Sequence, residues 1–159
     1  MGILRPPGAL ADDDDFLAAC LRCEMCSQAC DAQCLILFGP EEGRHAGTPF
    51  IMPEDAGCNL CLECTEACPS GALKLLTEKG EVDMGVAVVD ENLCVSFNGT
   101  GACGACQTIC PVPGKAITQG LFNRPTVVEE KCVGCGLCTE TCPVKERKAI
   151  RVQTKRIWA

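Results

Sequence analysis

Tyrosine is absent from this 159-residue chain, tryptophan and histidine occur once each, and five phenylalanines complete the aromatic set. So few rings cannot fill a large core, and the apolar fraction is carried by Ala, Val, Leu, Ile and Cys. No run approaches the roughly 18 consecutive apolar residues of a membrane-crossing helix. No basic segment followed by an apolar stretch opens the chain, and no twin-arginine pair stands near Met1. The sequence therefore reads as a cytoplasmic or membrane-associated chain that reaches a periplasmic face only when a partner carries it across. Basic charge is also scarce. The net charge is −7, which argues against nucleic acid, itself anionic, and favours basic patches on protein partners.

Cysteine is abundant instead, with 17 residues, more than a tenth of the chain. A secreted disulfide scaffold is the first rival reading. The odd number, the clustering in fours and the absence of a secretory signal all count against it. The repeating unit is clearest at Cys58-Asn-Leu-Cys61-Leu-Glu-Cys64-Thr-Glu-Ala-Cys68-Pro69. This is C-x2-C-x2-C-x3-C-P, the bacterial iron–sulfur run, in which three thiolates grip one [4Fe–4S] cube and the fourth reaches a neighbouring one. Two-residue gaps let the backbone curl around a cube corner, and the proline stops a helix from running back into the motif.

The unit occurs four times. The first copy is Cys20, Cys23, Cys26 and Cys30, with Asp31 where the others have proline. The third departs more: Cys94 is separated by eight residues from Cys103, with Cys106 and Cys110 following. Asn98-Gly-Thr-Gly101 is flexible enough for that loop to bulge and return Cys94 to the same cube. The fourth copy, Cys132, Cys135, Cys138 and Cys142, is the most regular, with Gly134 and Gly136 easing the backbone around a cube. Structural zinc is the rival, but zinc sites split their ligands two plus two. No C-x3-C-x2-C triplet of the radical type is present. All sixteen motif thiols are accounted for as ligands, so no iron is left open to substrate, and electron transfer is favoured over catalysis at the metal. Four such cubes would add about −8 to the chain's charge. The apo chain should be unfolded or molten. The seventeenth cysteine, Cys34, reads by repeat logic as a small buried residue and not as a ligand; the alternative is a spare ligand or redox thiol.

Between the motifs the sequence implies short elements. Residues 1–10 form an extended arm, with Arg5-Pro-Pro-Gly8 either a docking arm or a free terminus. Asp12 to Asp15 cap a helix over Asp13–Leu21. Leu35–Phe38 and Thr48–Pro53 are extended, flanking a loop that holds His45, to which no role is assigned. Ala72–Leu76 and Val86–Asp90 read as a strand–turn–strand device, repeated at 116–118 and 126–128, with a closing strand over Ala149–Gln153. The basic tail 155–158 is a candidate docking segment or a frayed end.

The arrangement resembles the ferredoxin-type proteins of periplasmic nitrate reductase and methylamine-utilisation operons, the MauM/NapG type. The carrying residues are Arg5-Pro-Pro-Gly-Ala-Leu10, Phe16-Leu-Ala-Ala-Cys20-Leu-Arg-Cys23, Thr48-Pro-Phe-Ile51, the widened Cys94…Cys103 and Cys132-Val-Gly-Cys135-Gly. The resemblance implies a non-enzymatic carrier with four [4Fe–4S] clusters. It would take electrons from a membrane quinol/quinone-linked subunit and pass them to a reductase. A free soluble polyferredoxin serving cytosolic enzymes is the alternative. The expected fold is a small, irregular α+β structure of two stacked bacterial ferredoxin-like modules with short antiparallel strand pairs. Related four-cluster subunits imply that the arm and helix (1–19) precede an outer module (20–47 with 125–159) and an inner one (48–124). That wiring assigns Cys20, Cys23, Cys26 and Cys142 to one cube, and Cys132, Cys135, Cys138 and Cys30 to a second. Cys58, Cys61, Cys64 and Cys110 hold a third, and Cys94, Cys103, Cys106 and Cys68 the fourth. The runner-up pairs the first motif with the second and the third with the fourth.

Overall fold

The computed structural model describes residues 3–112 and 116–154. The elements are short, as a chain interrupted by ligand motifs requires. α1 (Asp13–Ala19) is capped by Asp12, whose carboxylate accepts from the Asp15 N–H at 3.1 Å. α2 (Met25–Gln28), α3 (Glu63–Ala67), α4 (Ala105–Ile109) and α5 (Leu137–Glu140) each start inside a cysteine motif. β1 (Leu35–Leu37) pairs antiparallel with β2 (Pro49–Ile51). β3 (Val86–Val89) pairs with β6 (Ile150–Gln153), and β4 (Ile117–Gln119) with β5 (Pro125–Val127), both antiparallel. The fold is thus small and α+β, built on two-stranded sheets.

Two readings of the segments change. Ala72–Leu76 forms no strand; it makes a single bridge, Ala9 to Leu73, and β3 finds its partner in β6 instead. The reason lies in the N-terminal arm, which the sequence left as a docking segment or a free end. Leu4 bridges Ile51, extending the β1–β2 pair, and Lys74 N–H donates to Gly8 O at 2.7 Å. The arm thereby occupies the edge that β3 was expected to take. Gly8 has φ +73°, and a Cβ there would stand 2.3 Å from Lys74 O, so only glycine lets the arm lie this close.

The arm is anchored by Arg5, fully buried. It donates to Asp13 Oδ1 (3.1 Å), Thr48 Oγ1 (2.9 Å), Pro49 O (2.9 Å) and His45 Nδ1 (3.0 Å), and its guanidinium lies 4.5 Å over the Phe16 ring. His45, given no role by the sequence, accepts from Arg5 and packs against Phe38. The basic tail 155–158, a candidate docking segment or frayed end, lies outside the described residues.

Packing divides the elements into two groups. α2 packs on α3 beside β1, while α4 packs on α5 beside β4 and β6. One buried cluster joins Leu4, Phe16, Leu35, Ile51, Leu60, Leu73 and Met84; a second joins Ala87, Ile117, Ala149 and Ile150. The second and fourth motifs are joined within the first cluster, where Cys58 N–H donates to Cys135 O at 2.7 Å and Met84 N–H to Val133 O at 3.1 Å. Gly57 N–H also donates to the Glu140 carboxylate at 2.8 Å. Among the described residues no helix is long and apolar enough to cross a membrane.

Candidate iron–sulfur sites

Each complete motif bends the chain in the same way. Arg22 and Glu24, Leu60 and Leu62, Gly134 and Gly136 occupy equivalent places on either side of the second cysteine, and all six have positive φ, between 55° and 82°. Two left-handed residues separated by a cysteine turn three successive thiols toward one point, after which α2, α3 or α5 begins. Only the fourth motif supplies glycine there. The third lacks the pattern: Gly104 has φ −124°, because Cys94 arrives from a loop and no C-x2-C turn precedes Cys103. That loop is closed by Ser96, which donates to Cys103 O at 3.2 Å and accepts from Cys103 N–H at 3.0 Å.

None of the 17 cysteines is in a disulfide. Cys20, Cys23, Cys26 and Cys68 line one cavity with Phe16, Leu37 and Leu73. Cys110, Cys132, Cys135 and Cys138 line another with Ala87, Ile117 and Val133. Cys94, Cys103, Cys106 and Cys142 line a third with Val89, Val95 and Ile150. The remaining four come together as well: burial first, then the nearby thiols of Cys58, Cys30 and Cys61, push the Cys64 thiol up to about 12. Every sequence-assigned thiol is therefore in one of four groups. The grouping differs from the wiring drawn from the resemblance. Fourth cysteines cross between motifs one and two and between three and four, because α2 faces α3 and α4 faces α5. Cys68 stands with the first motif, Cys30 with the second, Cys142 with the third and Cys110 with the fourth.

The donor set and its surroundings fit [4Fe–4S] cubes. Among the described residues no three Cys, His, Asp or Glu gather tightly enough for a single ion. The thiols instead stand back around apolar cavities, unlike a tetrahedral zinc site with sulfurs about 2.3 Å from one metal. Backbone donors point at the sulfurs, each at 3.4 Å: Leu60 N–H at Cys58, Leu73 N–H at Cys68 and Ala87 N–H at Cys132. Burial tends to raise Cys68, but the Leu73, Ser70 and Gly71 N–H groups and the Ser70 hydroxyl outweigh it and leave the thiol below its ordinary value. Burial pushes Cys26, Cys106 and Cys135 up to about 11, and Cys138 upward as well. In the metal-free chain these thiols stay protonated at neutral pH, and a metal must displace their protons to bind.

Cys34 is where repeat logic put it, buried after the first motif. Its neighbours were not legible: its Sγ lies 3.7 Å from Cys30 Sγ, and the Cys58 thiol stands beside it as well. Interaction with Cys58 holds Cys34 above its ordinary value and Cys58 below it. Asp31, in the place of the missing proline, is within 3.4 Å of Asn59 Nδ2 in the second motif.

Cysteine-rich turns of this geometry define a ferredoxin-type, [4Fe–4S] electron-transfer protein. The sequence pattern of a 4Fe-4S dicluster domain matches residues 57–114, and that of a 4Fe-4S binding domain residues 125–145. The methylamine utilization ferredoxin-type protein MauM of Methylobacillus flagellatus is 42% identical over 166 residues, covering 98% of this chain and 70% of the relative. The ferredoxin-type protein NapG of Escherichia coli is 39% identical over 163 residues, covering 94% of this chain and 69% of the relative. The E. coli ferredoxin-type protein NapF is more distant, at 26% over 144 residues. The chain belongs to the MauM/NapG family of ferredoxin-type proteins.

Proposed function

We propose that the chain is a four-cluster electron relay that performs no catalysis of its own. Its sixteen motif cysteines would hold four [4Fe–4S] clusters, each passing one electron at a time. Site A comprises Cys20, Cys23, Cys26 and Cys68; site B, Cys58, Cys61, Cys64 and Cys30. Site C comprises Cys132, Cys135, Cys138 and Cys110; site D, Cys94, Cys103, Cys106 and Cys142. The sites follow one another in a row. The Cys26 thiol is felt at Cys64, Cys58 at Cys135, and Cys106 at Cys138. The observation that carries this order is the 2.7 Å bond from Cys58 N–H to Cys135 O, which sets motif two directly against motif four.

The two ends of the row differ. Near site A the exposed residues include Asp12, Asp14, Asp15 and Glu24. Residues 92–128, which carry Cys94, Cys103 and Cys106 of site D, contain no Asp or Glu. On that side the tip of the β4–β5 hairpin exposes Leu121 and Phe122, 83% and 76% accessible. The ends therefore suit different partners: site A a basic surface, site D an apolar, weakly charged one. A membrane quinone-linked subunit and a reductase fit these roles.

Iron and sulfide analysis of oxygen-protected protein, with EPR during reductive titration, tests the relay. About sixteen irons per chain and spin coupling between neighbouring reduced clusters are expected. Zinc, or about eight irons, refutes it. Replacing Cys142 by Ser should perturb the cluster of Cys94, Cys103 and Cys106. Perturbation of the Cys20 cluster instead would restore the first-with-last wiring. Co-purification with a membrane subunit separates a dedicated relay from a free polyferredoxin.

A further inference from the structure

Cys34 is the one cysteine that four clusters leave unused. It is 1% exposed, and its Sγ sits 3.7 Å from Cys30 Sγ, with the Cys58 thiol close enough to influence it. Those two neighbours come from different motifs yet belong to the same site, B. Leu35, which follows Cys34, starts β1, so the β1–β2 pairing fixes the position of the thiol. A fifth thiolate beside two ligand thiolates in an apolar pocket would carry an uncompensated buried charge. A protonated thiol there has one hydrogen and two electron-rich sulfurs to aim it at.

We propose that Cys34 is a positioning residue for site B: as a neutral thiol it donates an S–H hydrogen bond to the Cys30 sulfur, 3.7 Å away, and raises the reduction potential of that cluster. The argument rests on the four-cluster reading. Reduction adds one electron to a cluster whose negative charge is shared by its thiolate sulfurs. A donor to one of those sulfurs stabilises the more negative, reduced state. The proton stays on Cys34, so the step moves an electron alone. Site B, lying between A and C, thereby becomes a better resting place for an electron in transit.

The test is an EPR-monitored redox titration of the full-length, anaerobically purified protein with Cys34 as Cys, Ala, Val or Ser, each with its iron count. Cys34→Ala should keep the wild-type iron content and make one couple about tenfold harder to reduce, a fall of about 59 mV for a one-electron step, with the other couples unmoved. Cys34→Ser, which keeps a donor, should recover at least half of that shift. Should alanine prevent assembly, Cys34→Val fills the space without a donor and is compared with Ser in the same way. An unmoved couple at full iron content overturns the proposal, as does serine behaving like alanine or valine. Loss of about four irons in every variant also overturns it, by making Cys34 a ligand. Failure of the underlying four-cluster reading is distinguishable, because it appears as a low iron count in the wild type.

Discussion

Arg5 offers the sharpest check on how the first half of the molecule is held together. Its guanidinium is buried with Asp13, which is itself 2% exposed, and bonds three further groups on His45, Thr48 and Pro49. Arg5→Ala would leave the Asp13 charge buried with its strongest partner gone. Asp13 Oδ2 already has no hydrogen-bond partner among the described residues, and His45 Nδ1 is 3.7 Å away. Breaking a buried pair costs about 3–5 kcal/mol. Removing the stacking surface over Phe16, which lines site A, adds to that. Cluster loss is irreversible, so the quantity to measure is its rate at fixed denaturant under nitrogen, followed by the visible absorbance. If most of the cost appears in unfolding, Arg5→Ala should accelerate cluster loss on the order of 100-fold. Asp13→Asn in the Arg5→Ala background should recover about 2 kcal/mol relative to additivity, since the charge left alone has been removed. Arg5→Lys keeps the charge but loses the fork, and should fall between the two parents. A rate within threefold of wild type for Arg5→Ala would show that the arm is not anchored as described.

Three further outcomes follow from the same geometry. Gly134→Ala should cost about 1–3 kcal/mol or more in denaturation of the loaded protein, because φ is +72° and the new Cβ would lie 2.4 Å from Gly85 N, a backbone atom. Glu24→Gly should do the reverse, slowing cluster loss by an amount on the order of 0.5–1 kcal/mol, since an exposed glutamate there holds φ +64°; acceleration would refute the account. In the metal-free chain, Cys26, Cys64, Cys106 and Cys135 have folded values raised to about 11 or 12 from 9.0. A raised value favours the folded state below the unfolded value and loses that contribution as pH rises through the folded one. Residual compactness of apo-protein by circular dichroism should therefore fall between pH 9 and about 12, while the cluster-loaded protein, whose thiolates are already deprotonated, shows no such transition.

The sixteen thiols proposed as ligands stand out in the sequence because a cube needs sulfurs at fixed intervals along the chain, and the structure gathers them into four groups. Their partition does not stand out, because C-x3-C says only that the fourth sulfur leaves its own cube. Which cube it reaches depends on whether α2 meets α3 or α5, a matter of tertiary packing. The hairpin of β4 and β5 was local and readable. The β3–β6 pair joins residues far apart in sequence and was missed for the same reason as the cluster partition. The arm was misread because Arg-Pro-Pro-Gly is the composition of an exposed linker. Only a buried acid on another element, Asp13, makes Arg5 a core residue, and that pairing leaves no periodic trace.

The left-handed residues predict that such a chain reaches its full structure only with its metal. Arg22, Glu24, Leu60 and Leu62 hold φ between 55° and 67° without being glycine. Each costs on the order of 1 kcal/mol, and their motifs bring together thiols that, metal-free, only crowd one another. Nothing in the short helices that follow offsets this, since a four- or five-residue helix is far below the length that is stable alone. Thiolate–iron bonds are the one interaction available at these turns strong enough to hold them. The motif with glycine at both left-handed positions, the fourth, carries the least strain, and the widened third avoids the turn altogether. Sites C and D should therefore keep their iron longer than A and B when chelator is added to the oxidised protein. Time-resolved EPR of the reduced remainder reads the order directly, and earlier loss from the glycine-bearing motif would disconnect backbone strain from cluster retention.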